Sequence, residues 1–160
     1  MKKMTLFILL TGALLGGLTA SAQQTYKTGL GLKGGYPSGI TVKHFLDNKS
    51  AVEGIASFGW GGFGITGLYQ FHNPIPDLPG LSWYYGGGAH LAIANGDDDD
   101  DNPWRGEELT LGIDGVIGLE YVFAEVPISI GIDILPVLNI IQKPGVWFNS
   151  GLAIRYTFKQ

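Results

Sequence analysis

The sequence predicts an all-β chain of eight antiparallel strands, run up and down and closed into a transmembrane β-barrel. Three observations predict it. Beyond residue 22, apolar residues recur at every second position in run after run, with no stretch of helical period. Clusters rich in Gly, Pro, Asn and Asp break these runs at short intervals. Charged residues make up only 15% of the chain and aromatics 12%, with 26 glycines; soluble domains carry about 25% charged residues.

Val146 to Phe158 shows the pattern most fully. Val146, Phe148, Ser150, Leu152, Ile154, Tyr156 and Phe158 form one set; Trp147, Asn149, Gly151, Ala153, Arg155 and Thr157 form the other. One face is apolar and ends in two aromatics, while the other is mostly small or polar and carries a charge. Its thirteen residues exceed the about 9–11 that a tilted strand needs to cross a bilayer. The segment resembles the closing strand of bacterial outer-membrane barrels, whose terminal Phe is an assembly signal. In this chain Lys159 and Gln160 follow Phe158. An amphipathic strand of a soluble sheet has the same alternation.

The other seven strands follow the same rule. They are expected at Thr28–Tyr36, Gly39–Leu46, Ala51–Trp60, Phe63–Phe71, Leu81–Ile93, Glu108–Phe123 and Pro127–Leu135. Pro37-Ser38, Asp47 to Ser50, Gly61-Gly62 and Ala124-Glu125 are turns. His72 to Gly80 holds three prolines and reads as a connection, as does Pro136 to Gly145. Asn95 to Glu107 is a polar loop. Short connections favour antiparallel, up-and-down order. Gly86-Gly87-Gly88 lies within a strand and leads into no helix, so it marks close packing or a bend and not a phosphate loop.

Lys2 and Lys3, the apolar run Leu6 to Leu18 and Ala20-Ser21-Ala22 have the order of a secretory signal peptide, residues 1–22, with the barrel domain over 23–160. Loss of the two lysines takes the net charge from −4 to −6. Nucleic acid is not an expected partner at that charge. Without cysteine there are no disulfides, thiolate metal sites or Cys nucleophiles.

Lys33, Lys43, Glu53, Asp114, Glu120, Asp133 and Arg155 all fall on the polar face. Facing outward they would make a thinly charged surface for a soluble barrel. Facing inward, three cations and four anions can pair as a luminal charge network. The aromatics favour the second arrangement. Tyr69, Phe71, Trp83, Tyr85, Tyr121, Phe123, Tyr156 and Phe158 fall toward one rim on the apolar face, and Tyr36, Trp60, Phe63 and Phe148 near the other. That sorting is an aromatic girdle.

The whole chain thus resembles the small eight-stranded outer-membrane β-barrels of Gram-negative bacteria. The resemblance implies residence in the outer membrane after signal-peptide cleavage, outer-membrane lipid as partner, and engagement of the barrel-assembly machinery through Val146–Phe158. An eight-stranded barrel is just wide enough for side chains to fill, so a filled lumen and no pore are expected, with a non-enzymatic structural or surface-interaction role. A lipid-modifying outer-membrane enzyme and a soluble ligand-binding β-barrel are the alternatives.

No catalytic, cofactor-binding or strong metal site is expected. His44, His72 and His90 have no metal-ligand spacing. His90 shares the polar face with Ser82 and, on other strands, with Ser129, Asp114 and Glu120, a set that any barrel offers. Asp97, Asp98, Asp99, Asp100 and Asp101 are five adjacent like charges. They predict an extended, solvated extracellular loop and at most low-affinity divalent-cation binding, lacking the spaced ligands of a dedicated calcium loop. Trp104 and Arg105 beside them are candidates for contact with lipid or a partner.

Overall fold

The computed structural model describes residues 26–59, 62–94, 108–141 and 144–159. The signal segment, Trp60, the acidic run Asp97 to Asp101, Trp104 and Arg105 lie outside the described residues. The strands are β1 (Thr28–Gly35), β2 (Gly39–Phe45), β3 (Ser50–Gly59), β4 (Gly62–Pro74), β5 (Leu81–Ala94), β6 (Glu108–Val122), β7 (Ile128–Ile141) and β8 (Gly145–Phe158). Each pairs antiparallel with the next, and β1 pairs with β8 from Thr28↔Phe158 to Gly35↔Gly151. The sheet is therefore a closed barrel with no free edge.

Alternation along each strand sorts the side chains, and the polar set goes inside. Along β7, Ser129, Gly131, Asp133, Leu135 and Val137 are buried, while Ile130, Ile132, Ile134 and Leu138 are exposed. Leu32 is 68% exposed and Ile117 54%, whereas Lys43 and Arg155 are at 0%. This inverts the usual order of a water-soluble protein, in which Lys and Arg are almost never fully buried.

The outer aromatics gather toward the end that carries the start of β1 and the end of β8. There Tyr69 packs on Phe71, Phe71 and Trp83 on Tyr85, Tyr121 on Phe123, and Tyr156 on Phe158, with ring centroids 4.8–5.7 Å apart. Tyr36, Phe58, Phe63 and Phe148 are exposed near the other end.

Two strands run further than their prolines suggest. β4 continues through His72 and Asn73 to Pro74, which pairs with Ser82; at a strand end the missing N–H of proline removes no interior ladder bond. β7 continues through Pro136 to Ile141. Pro136 pairs with Phe148 of β8, while pairing toward β6 lapses between Asp114↔Val137 and Ile117↔Ile134. Opposite the lapse stands Gly115, where a Cβ would lie 2.9 Å from Pro136 Cγ. The ring occupies the space of a missing side chain, at a place where no ladder donor is required. β6 ends one residue short of Phe123.

The turns have local causes. Asp47 accepts the N–H groups of Lys49 and Ser50, each at 2.7 Å, closing the β2–β3 turn. These bonds hold its carboxyl below the usual range. Gly80 precedes β5 with φ +85°, which favours glycine.

Glycines inside β5 allow neighbouring backbones to approach. A Cβ at Gly86 would lie 1.9 Å from the Tyr69 carbonyl oxygen, and one at Gly88 would lie 1.8 Å from that of Gly67. Gly67, on the outer face, has nothing within 4 Å of the same position. Gly86→Ala is therefore expected to destabilise the barrel by about 1–3 kcal/mol through forced backbone shifts. Gly67→Ala is expected to be neutral, or to stabilise by about 0.5 kcal/mol. Urea unfolding midpoints in detergent compare the two.

Candidate functional site in the barrel lumen

The inward positions of β7, read from the terminal end, give the layers of the lumen in order. Ser129 and Asp133 belong to a polar layer, Leu135 and Val137 to an apolar one, and Asn139 to the far mouth.

Tyr26, Phe45 and Ala51 close the terminal end, all buried, with Val122 packed against them. The ring of Phe45 meets Tyr26 at 5.1 Å and His72 at 4.8 Å, and His72 stacks on Tyr84 at 4.8 Å. Tyr26 OH donates to Glu120 Oε1 at 3.0 Å. Burial, and next the charge of Glu120, push the Tyr26 phenol well above its ordinary value, so it remains a donor.

Above this plug lies the ion-pair layer, with Arg155 at its centre. Its Nη2 donates to Glu53 Oε1 and its Nη1 to Glu120 Oε1, the latter at 3.3 Å. Its Nε points to Thr41 Oγ1 at 3.4 Å, and Thr41 in turn donates to Glu53 Oε1 at 2.6 Å. Gln70 Nε2 donates to Glu53 Oε2 at 2.6 Å. Ser129 donates to Glu120 at 3.1 Å. The Lys43 ammonium is 3.5 Å from Glu120, 4.0 Å from Glu53 and 4.2 Å from the centroid of the Tyr84 ring. Lys33 and Tyr84 both donate to Asp133 Oδ2, at 2.6 and 2.8 Å.

Every strand contributes to this layer: Lys33 from β1, Thr41 and Lys43 from β2, Glu53 from β3, Gln70 from β4, Tyr84 from β5, Glu120 from β6, Asp133 from β7 and Arg155 from β8. Among the described residues, three Lys and Arg cations meet three carboxylates there. Inward glycines leave room for the long chains. A Cβ on Gly118 would sit 2.6 Å from the Tyr84 ring, and one on Gly151 would sit 2.5 Å from Lys33 Cε.

Asp114, the fourth acid of the polar face, pairs with none of these three cations. Its Oδ1 lies 2.7 Å from His90 Nδ1, on the far side of the apolar layer formed by Ile55, Leu68, Tyr84, Val116, Leu135 and Val137. The two hydroxyls that the sequence places on the face of His90 go elsewhere. Ser129 bonds to the Glu120 carboxylate and Ser82 to the Glu120 carbonyl oxygen.

Beyond Val137 the lumen opens into a cavity of about 360 Å³ at the end opposite the termini. His90, Asp114, Thr110, Asn139, Asn149 and Trp147 are among its lining residues. Sequence reasoning misses Asn139 and Trp147. Asn139 lies in a stretch that reads as a connection. Trp147 is a large ring in the small and polar set of its strand, and that contrast is the one signal that could have marked it. Among the described residues no group of three or more His, Asp or Glu stands close enough to hold a metal ion. The chain matches no family model and no curated protein.

Arg155 compensates two buried carboxylates at once, so its loss leaves both short of positive charge. Arg155→Met is expected to cost about 3–5 kcal/mol, and Glu53→Gln in the same chain is expected to restore part of it. Urea unfolding of the single and double variants measures both effects.

Proposed function

We propose that the chain is an outer-membrane β-barrel of a Gram-negative bacterium, exported with a signal peptide that is cleaved after Ala22. Its role is structural or interactive at the cell surface, and non-enzymatic. Outer-membrane lipid is its solvent, and the barrel-assembly machinery engages it through Val146–Phe158. The acidic run Asp97 to Asp101 is a solvated loop on the outer side, with at most low-affinity binding of divalent cations.

One observation carries this reading: the barrel is inverted, with charges buried and a broad aliphatic surface outside. Leu32, Ile113, Ile117, Ile132 and Ile154 are each at least half exposed. Monomeric soluble proteins rarely expose a contiguous apolar patch of more than a few hundred Å². A bilayer removes the difficulty, because closed barrels satisfy every backbone group internally. Strands of 13–15 residues in β4 to β8 exceed the about 9–11 needed to cross. The rings stacked toward the terminal end fit the headgroup level of a bilayer. The ion-pair layer across the lumen supports a barrel that does not conduct.

A lipid-modifying enzyme is the second reading, favoured by the His90–Asp114 pair. Turnover of extracted lipid A that is lost in His90→Ala would establish it. Partition of the native protein into water without detergent would instead favour a soluble barrel.

The membrane reading predicts a contrast between faces. Ile117→Lys places a charge near the lipid midplane, at a cost of roughly 2–4 kcal/mol. Thr110→Lys points into the lumen near its mouth and is expected to cost much less. Folding into lipid vesicles, read as the shift between heated and unheated bands on a gel, is expected to fall for Ile117→Lys alone. Equal yields for both variants would count against the reading.

A further inference from the structure

The cavity at the far mouth has features that the ion-pair layer does not explain. His90, Gly112 and Asn139 follow one another across β5, β6 and β7 in the pairing register. Gly112 is required between the two side chains, since a Cβ there would lie 2.4 Å from His90 Cε1. Asp114 is next along β6 on the inner face, itself 3% exposed. His90 occupies one of its carboxylate oxygens. The other, Oδ2, is buried and has no hydrogen-bond partner among the described residues. Asn139 stands beside His90, yet its buried Oδ1 likewise has no donor in bonding geometry among those residues. Two acceptors in one cavity wall thus lack donors, a state that buried polar groups seldom keep.

The charge and shape of the wall narrow what would supply those donors. Among the described lining residues Asp114 is the only acid, and there is no Lys or Arg. The floor is apolar, made by Leu135 and Val137, and Trp147 adds an aromatic wall. A carboxylate, an amide oxygen and an indole around an apolar floor suit a cation with an apolar body. An anion would meet the Asp114 carboxylate, and the one described lining group that can carry positive charge, His90, is already held by that carboxylate. At about 360 Å³, the cavity is in the lower part of the size range of small-molecule sites.

We propose that this mouth cavity binds a small amphipathic amine. Its ammonium group donates to Asp114 Oδ2 and Asn139 Oδ1, and its apolar body rests on Leu135, Val137 and Trp147. His90 is a positioning residue, holding the other carboxylate oxygen so that Oδ2 faces the incoming donor. That the mouth opens to the outside of the cell rests on the membrane reading above; the binding itself does not.

The test uses the whole mature chain folded in non-ionic detergent micelles, where binding is read independently of insertion into lipid. Phenethylammonium, phenethyl alcohol and 3-phenylpropionate are titrated by calorimetry and by Trp fluorescence. Phenethylammonium is expected to bind about tenfold or more tightly than the alcohol, with no binding of the carboxylate; tenfold corresponds to about 1.4 kcal/mol. Asp114→Asn is expected to remove the preference for the amine over the alcohol. Val137→Phe, which fills the floor without touching the charge, is expected to weaken both ligands. Should Asp114→Asn fail to fold, Asn139→Leu and the three-ligand comparison on the native chain still decide. Equal affinity for amine and alcohol, no saturable amine binding, or amine binding unchanged in the folded variants would overturn the proposal. None of these results bears on whether the barrel enters lipid.

Discussion

Arg155 holds two carboxylates that come from different walls of the barrel, Glu53 on β3 and Glu120 on β6. Much of the interior follows from that arrangement. With both acids fixed on one guanidinium, Lys43 has a place near each of them, and Thr41, Gln70, Ser129 and Tyr26 supply the remaining donors. Desolvating a charge costs several kcal/mol even after relaxation, so such a layer depends on the partners its charges find. Lys43 Nζ and Asp133 Oδ1 are the atoms of the layer that have a neighbouring charge but no hydrogen bond in good geometry of their own among the described residues. A connected polar network also disfavours other arrangements of the same groups. The layer therefore serves less as a source of net stability than as a lock on the register of eight strands. A one-residue slip in any of them would send its apolar set inward and its charge outward.

That lock explains the composition of the inner face. Long cationic side chains fit a narrow lumen only if positions beside them are nearly empty. Gly118 yields space to Tyr84, Gly151 to Lys33 and Gly112 to His90. The abundance of glycine, which would weaken an ordinary sheet, is here the volume in which the charges are packed. The apolar residues then have nowhere to go but outward. The exposed aliphatic band and the buried charges are two results of one constraint.

How far the sequence can be read follows from what alternation encodes. A period of two assigns a face, so Lys33, Lys43, Glu53, Glu120, Asp133 and Arg155 are legible as one inward set. It does not encode height or stagger. Asp114 has the same face as Glu120 but stands three inward steps further along β6, beyond the apolar layer, so it meets His90 and not a cation of the network. Partners depend on how far adjacent strands are offset around the closed sheet, which no single strand records. Prolines mislead in the same local way. Pro136 reads as the end of a strand, but the pairing lapse and Gly115 beside it let β7 continue, and that continuation brings Asn139 to the mouth. Thr41, Gln70 and Tyr84 share the polar face by the same alternation, but as uncharged side chains they are not marked as network members, though each supplies a hydrogen bond to a buried carboxylate.

The division of the lumen gives the two ends different capacities. The terminal end is closed by aromatic rings and ion pairs, and a ligand could enter there only by breaking the lock. The far end holds acceptors that have no donor among the described residues, above an apolar floor. A barrel locked through its middle can vary this mouth without disturbing the rest, as rigid scaffolds generally allow.

The membrane reading puts the outward aliphatic face in lipid. The absence of native cysteine permits nitroxide labels at single introduced cysteines, each read by collision with oxygen and with a water-soluble nickel complex in lipid vesicles. Labels at Ile130→Cys, Ile132→Cys and Ile134→Cys are predicted to meet oxygen freely and nickel hardly at all, with Asp47→Cys in the β2–β3 turn showing the reverse. Nickel access at the three β7 positions equal to that at Asp47 would mean that this face is not in lipid.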